Sequence, residues 1–259
     1  MSDRRIAWVT GGAKGLGRAI ALRLVKDGCD IIINDIDEEA LKKTEKELIT
    51  SGGKCLAKKA DVSNGVEVGH LVEEAISLFG RVDILVNNAG GTLNTPRSLD
   101  EGTEEDWDRV TDVNLKGTYL CSKAVVPHMK RHRYGVIVNI SSIAAKEKGV
   151  MTGVYYSSAK AGVLGLTRWL AVDLGPFNIR VNAIAPGLIM SGERIVNLLN
   201  QRLTREEREA MLNDIPLGRF GDPEDIAGVV SFLCGRDSSY ITGTAIEVNG
   251  GALFKGHTH

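Results

Sequence analysis

The chain has 259 residues, 43% of them hydrophobic and 25% charged, and a formal net charge of −1. This allows a large core in one or two domains, and near-neutrality gives no ground for a nucleic acid or an anionic membrane as partner. The N-terminal apolar run Ile6–Val9 is too short for a signal segment, and no run reaches the ~18 residues that span a bilayer. Cys29, Cys55, Cys121 and Cys234 show no C-x-x-C spacing, so a soluble, cytoplasmic protein with reduced thiols is expected.

In chain order, β-rich apolar runs fall at 6–9, 29–34, 54–60, 82–87, 136–140, 179–184 and 245–249, with amphipathic helical stretches between them. Val82–Val86 and Val136–Ile140 are nearly continuous apolar, the pattern of strands buried on both faces. Thr103 with Asp106 and Thr204 with Glu207 read as capping boxes, and Asp222-Pro223 reads as an N-cap followed by a first helical position. The alternation predicts an α/β fold: a single doubly wound Rossmann-type domain over 1–259, with a parallel sheet of about seven strands and helices on both faces. The long polar and helical segment at about 188–216 interrupts the alternation and is expected to form a lid over a substrate.

Directly after the first run comes T10-G-G-A-K-G-L-G17, leading into a helical pattern. Glycines at a strand–loop–helix junction let backbone N–H groups approach a pyrophosphate. The loop lacks the G-K-[ST] ending of a P-loop, and its Gly11–Gly15 gap differs from G-x-G-x-x-G. The second run ends at Asn34-Asp35, about 20 residues on, where a carboxylate can bond ribose hydroxyls and repel a 2′-phosphate. Asp35 therefore favours NAD over NADP, with Lys14 as the counter-signal.

Tyr156 and Lys160 stand at i and i+4, one face of a helix. An ammonium beside a phenol favours the phenolate and brings a pKa near ~10 toward neutrality, which makes a usable proton donor and acceptor. Tyr155 has Ala159 at the same offset and cannot do this. His128 and His132 share an i, i+4 spacing, but with no glutamate between them and no cysteine or carboxylate cluster nearby no metal site is expected. His257 and His259 read as part of a mobile tail.

Taken in order, T10-G-x-x-x-G-x-G17, Asp35, N87-N-A-G90, Asn114, Ser142 and Y156-x-x-x-K160 resemble the short-chain dehydrogenase/reductase family from Ile6 to Gly251. Extended epimerases carry G-x-x-G-x-x-G, and enoyl reductases place the lysine seven residues after the tyrosine, so both relatives are disfavoured. The resemblance implies Tyr156 as general acid/base and Lys160 as its ammonium partner, which also holds the nicotinamide ribose. Ser142 would orient the reacting oxygen, and Asn114 would kink its helix and relay protons through water. Ser141 rivals Ser142; strand alternation turns it to the opposite face, and the family pattern selects Ser142. The interval from Ser142 to Tyr156 is one residue longer than usual, implying an enlarged loop.

The resemblance further assigns Gly11, Lys14, Gly15, Leu16 and Gly17 to the phosphates, Asp61 and Val62 to the adenine, and Asn88, Ala89 and Gly90 to the cleft. Gly187, Ile189 and Ser191 belong to the Pro-Gly loop, where Ile189 offers backbone groups to the carboxamide and Ser191 replaces the usual threonine. The substrate pocket is expected from Gly91–Asn94, Ser142–Gly149, Met151–Tyr155 and the lid, with Lys146, Lys148 and Arg194 as cations an anionic substrate could meet or as solvated charges. The expected function is an NAD-dependent oxidoreductase that interconverts a secondary alcohol and a ketone, with a small polyol, sugar or hydroxy acid as substrate. The alternative is an NADPH-dependent 3-oxoacyl-carrier-protein reductase. Against it stand Asp35 and Phe177, which occupies the place of a carrier-docking arginine. A non-catalytic dinucleotide sensor is disfavoured because the whole Tyr–Lys set is present. A homotetramer is implied, packed through Ala124–Val126 and Val163–Leu166, with the tail 250–259 reaching a neighbour.

Overall fold

The computed structural model describes residues 4–147 and 151–252, without the side chains of residues 193, 194, 198 and 202. Lys148, Gly149, the middle of the loop before Tyr156 (148–150), the Arg194 side chain and the tail beyond 252 lie outside the described residues.

The seven expected strands form, with ends shifted by two residues or fewer: β1 Ile6–Thr10, β2 Asp30–Asp35, β3 Cys55–Lys59, β4 Ile84–Asn87, β5 Gly135–Ile140, β6 Ile179–Pro186 and β7 Ala245–Val248. The helices are α1 Gly15–Lys26, α2 Glu38–Thr50, α3 Gly65–Phe79, α4 Glu104–Thr111, α5 Gly117–His132, α6 Val154–Leu174, α7 Glu193–Arg202, α8 Arg205–Asn213 and α9 Pro223–Cys234. All strands run parallel in the order β3-β2-β1-β4-β5-β6-β7. The chain leaves β1 in one direction and returns to its other side at β4, so the carboxyl ends of β1 and β4 border the crevice at the switch point.

Alternation along each strand feeds two cores. Ala7, Val9, Ile31 and Ile33 face α1, α2 and α9, whereas Ile6, Trp8 and Ile32 face α3, α5 and α6. Trp8 is buried with its indole N–H satisfied: Nε1 donates to Asn34 Oδ1 at 2.9 Å, while Asn34 Nδ2 donates to Ala60 O at 3.0 Å. Both expected capping boxes close, at Thr103/Asp106 and Thr204/Glu207, and Pro223 opens α9. The segment after β6 carries two helices, α7 and α8.

Within the stretches 124–126 and 163–166, Val125, Val163 and Leu164 are buried in the chain's own core, whereas Ala124, Val126 and Leu166 are partly accessible. The exposed apolar groups of α6 are Trp169 and Val172, 75% and 80% accessible.

The loop between β4 and α4 is fastened to the start of α6. A Cβ on Gly153 would lie 2.7 Å from Pro96 O, and one on Gly102 would lie 1.1 Å from the Tyr155 hydroxyl and 2.3 Å from its ring. Tyr155 is buried, edge-on to Trp107 at 6.3 Å. Gly102→Ala should therefore cost about 1–3 kcal/mol in urea unfolding through overpacking. Adding Tyr155→Phe, which removes the nearest atom, should recover part of that loss, so full additivity of the two changes would count against this packing.

Candidate active site

The Gly-rich loop is built by close approach. Gly11 and Gly15 have φ of +61° and +52°, a region that suits glycine. A Cβ on Gly11 would lie 2.9 Å from Ala89 Cα, and one on Gly17 would lie 2.1 Å from Gly11 O and 2.6 Å from Asn88 Nδ2. Thr10 and Asn88 stitch this loop to the end of β4. Thr10 Oγ1 accepts from Asn88 N and Ala89 N at 2.9 and 3.0 Å, and Asn88 Nδ2 donates to Thr10 O and Gly11 O. Thr10, which opens the Gly-rich motif but has no role evident from the sequence, is thus the link between the loop and β4.

The first turn of α1 has no side-chain cap and no acidic residue, unlike α2 and α3, which Asp37 and Asn64 cap. Its backbone donors suit a phosphate. At the end of β2, Asp35 is half-buried; its Oδ2 accepts from Ala13 N at 3.3 Å and its Oδ1 from Asp37 N at 3.2 Å. Lys14 turns to Asp37, with Nζ 2.5 Å from Oδ2, a pair that raises the lysine pKa and lowers that of Asp37. Asp61 accepts from Ser63 N and Oγ, and Val62 is packed so that a Cβ on Gly117 would lie 2.7 Å from its Cγ2.

Asn114 lies in a π-helical turn, Asp112–Lys116, between α4 and α5, and is fully buried. Its Nδ2 donates to Val110 O and Gly91 O, both at 2.9 Å, and its Oδ1 accepts from Gly91 N at 3.0 Å, clasping the backbone beyond β4. Below it runs a polar chain that single-residue motifs did not disclose. Thr118 Oγ1 donates to Asn114 O, Ser122 Oγ to Thr118 O, Asn87 Nδ2 to Ser122 Oγ and Asn139 Oδ1, and Asn139 Nδ2 to Thr167 Oγ1.

Tyr156 and Lys160 occupy successive turns of α6, with the ammonium 5.6 Å from the ring centroid. Lys160 is 3% exposed and donates to Ile140 O at 2.8 Å; burial pushes its pKa down to about 8. A Cβ on Gly90 would lie 2.3 Å from Asn114 Oδ1 and 3.4 Å from Lys160 Nζ, so the glycine lets both approach the crevice. The two serines divide their work. Ser141 is buried and donates to Lys160 O at 2.9 Å, whereas Ser142 is partly exposed, its Oγ accepting from Ala144 N at 3.2 Å.

On the far side, Gly187 donates to Val248 O, and Ile189 pairs with Gly221. A Cβ on Gly15 would lie 2.7 Å from Ser191 O, so the Pro-Gly loop meets the Gly-rich loop. Lys146 pairs with Glu247 at 2.5 Å, and Phe177 lies under Lys130, whose Nζ is 4.4 Å from the ring centroid. His128 and His132 sit on α5, where His132 Nδ1 meets His128 O. Among the described residues no group of three His, Cys, Asp or Glu could hold a metal ion.

A family model described as enoyl-(acyl carrier protein) reductase matches residues 11–252. The (2S)-[(R)-hydroxy(phenyl)methyl]succinyl-CoA dehydrogenase subunit BbsD of Thauera aromatica is 42% identical over 255 residues, covering 98% of this chain and 99% of that protein. The 3-oxoacyl-[acyl-carrier-protein] reductase FabG of Thermotoga maritima is 39% identical over 258 residues, covering 97% and 98%. Among solved structures, NAD+-bound xylitol dehydrogenase matches with a TM-score of 0.89 at 34% identity, covering 95% of this chain and 98% of that one. The protein belongs to the short-chain dehydrogenase/reductase family and is an oxidoreductase with a nucleotide cofactor.

Proposed function

We propose that the protein is an NAD-linked dehydrogenase that interconverts a secondary alcohol and a ketone, with a small polyol, sugar or hydroxy acid as substrate. The observation that carries the reading is Tyr156 standing one helical turn before a buried lysine at the mouth of the crevice. Gly11 to Gly17, with Lys14 and Leu16 between, would hold the phosphates, and Asp61, Val62, Asn88, Ala89 and Gly90 would flank the adenosine and the cleft. Gly187, Ile189 and Ser191 would hold the carboxamide. The bound dinucleotide supplies or accepts the hydride.

The chain's own residues handle the proton. Tyr156 takes it from the substrate hydroxyl in oxidation and returns it in reduction. Lys160, as ammonium, favours the phenolate and is placed to hold ribose hydroxyls. Ser142 donates to the reacting oxygen and orients it. Asn114 holds the backbone at Gly91 and would help water relay protons to Lys160. The NAD preference is supported by charge: a 2′-phosphate would meet Asp35 and Asp37 and would compete with Asp37 for Lys14. Trp169 and Val172 support packing against a second copy in a homotetramer.

The names of two relatives favour a second reading, reduction of a 3-oxoacyl thioester. A panel decides between them: NADH formation from polyols and hydroxy acids against NADPH consumption with an acetoacetyl thioester. Tyr156→Phe should lower kcat at least ~100-fold with the fold intact; equal turnover would sink the mechanism. Asp35→Ala should shift the NAD/NADP affinity ratio by roughly tenfold toward NADP, measured by titration of both cofactors.

Lys160 also ties function to stability. Its folded pKa of about 8 lies below the ~10.4 of an unfolded lysine, so the folded state carries the cost of the buried charge below about pH 8. Lys160→Met keeps the stem and removes that charge. It should abolish activity yet stabilise the protein by on the order of 1–2 kcal/mol near pH 7, after the lost bond to Ile140 is counted. The gain should shrink as pH rises from about 8 and turn, above about 10.4, into a small loss set by the missing bond to Ile140. Urea unfolding across that range checks both sign and window.

A further inference from the structure

The two roots of the α7–α8 segment are joined by one short bridge. Gly221 N donates to Leu188 O at 3.0 Å, Met190 N donates to Gly221 O at 2.7 Å, and Ile189 is thereby paired with Gly221. Leu188 and Met190 use these groups on Gly221, so the N–H and C=O of Ile189 itself point to the other edge of the strand. On that edge Ile189 O accepts from Ser191 N at 2.9 Å, and Ser191 meets Gly15 of the Gly-rich loop. The place of Ile189 is thus set by the place of Gly221.

Gly221 is in turn bracketed by one ion pair. Arg219 grips Asp225 with two parallel bonds, Nη1 to Oδ2 at 2.7 Å and Nη2 to Oδ1 at 2.8 Å. Arg219 Nη1 also donates to Phe220 O at 3.1 Å, and Asp225 Oδ2 accepts from Asp222 N at 2.8 Å. The residues on either side of Gly221 are therefore each tied to one partner of the pair. A Cβ on Gly221 would lie 2.4 Å from Ile189 Cδ1 and 3.7 Å from Asp225 Oδ2, so the glycine is enclosed between the carboxylate and the isoleucine. Arg219 pushes the Asp225 pKa down to about 2, which keeps the pair ionised across the working range. A half-exposed pair of this kind contributes little to global stability; its two-pronged geometry is suited to fixing position.

We propose that Arg219 and Asp225 are positioning residues that hold the Ile189 backbone, through Gly221, where the nicotinamide carboxamide binds. The inference rests on the reading that Ile189 serves the carboxamide. ADP-ribose lacks the nicotinamide and separates this role from a general structural one. NADH and ADP-ribose are titrated calorimetrically into wild type, Arg219→Met, Arg219→Lys and Asp225→Asn, with melting curves alongside. Arg219→Met and Asp225→Asn should weaken NADH roughly tenfold and ADP-ribose by less than about twofold, and Arg219→Lys should recover part of the loss. Equal weakening of both ligands, or none, overturns the proposal. Wild type that binds ADP-ribose as tightly as NADH overturns instead the reading of Ile189. Should Asp225→Asn fail to fold, the Arg219 variants decide alone, since that side chain is half exposed and its removal leaves no buried charge.

Discussion

Burying the Lys160 ammonium is unfavourable, and the chain offsets the cost through a hydrogen bond to the carbonyl of Ile140 at the end of β5. The surroundings of the site follow from this requirement. Ser141 donates to the carbonyl of Lys160 and fixes the helix against the strand end, so the serine next in sequence faces outward. Gly90 leaves room for the ammonium and for Asn114, and the π-helical turn brings the Asn114 amide back onto Gly91. A lysine held this way has its charge directed toward the crevice and the phenol above it. Solvent does not screen it, which strengthens its effect on neighbouring groups.

The polar chain from Thr167 through Asn139, Asn87, Ser122 and Thr118 to Asn114 extends the same logic into the sheet. Amides and hydroxyls at these buried places lock strand to strand and strand to helix only if they stay paired. The register Asn87↔Asn139 puts two of them side by side on β4 and β5. The π-helical turn, which breaks the regular ladder of its helix, is thereby anchored to the centre of the sheet rather than to a surface loop. The Gly-rich loop is anchored to the same β4 end by Thr10 and Asn88, so cofactor loop and proton-handling helix share one rigid reference.

Much of this was legible in the sequence because it is local. Alternating apolar runs disclosed seven strands, the capping boxes at Thr103 and Thr204 marked helix starts, and the four-residue step from Tyr156 to Lys160 put both on one face. What was not legible depends on contacts between distant segments. The partner of Lys160 is a backbone carbonyl twenty residues away, which no side-chain pattern encodes. Val163 and Val125 looked available for a neighbouring subunit, but the fold turns them inward. Lys146 was open to an anionic ligand until β7 brought Glu247 beside it. Gly102 carries no local turn signal; its lack of a side chain is explained only by the Tyr155 ring that fills the space.

The two sides of the crevice are held in different ways, and this bears on which side sets the alcohol. The proton side is a buried network of linked polar side chains, in which Asn87 Nδ2 and Asn139 each serve a neighbour while Asn87 Oδ1 has no partner, so a change in one side chain disturbs several. The opposite walls, the loop after β4 and the segment after β6, are fastened mainly through backbone and glycine contacts at Gly153, Gly102 and Gly221. Side chains between those anchor points can change without loosening the anchors. Leu93 and Asn94 illustrate this. Their φ values of 50° and 58° lie in the left-handed region, which costs roughly 1 kcal/mol or more at Leu93 and less at Asn94, since asparagine tolerates it. They persist because Arg109 holds Leu93 O and Thr95 closes back on Thr92. A wall whose path is fixed from outside the crevice leaves its inward side chains free to define the substrate, while Tyr156 and Lys160 define the reaction.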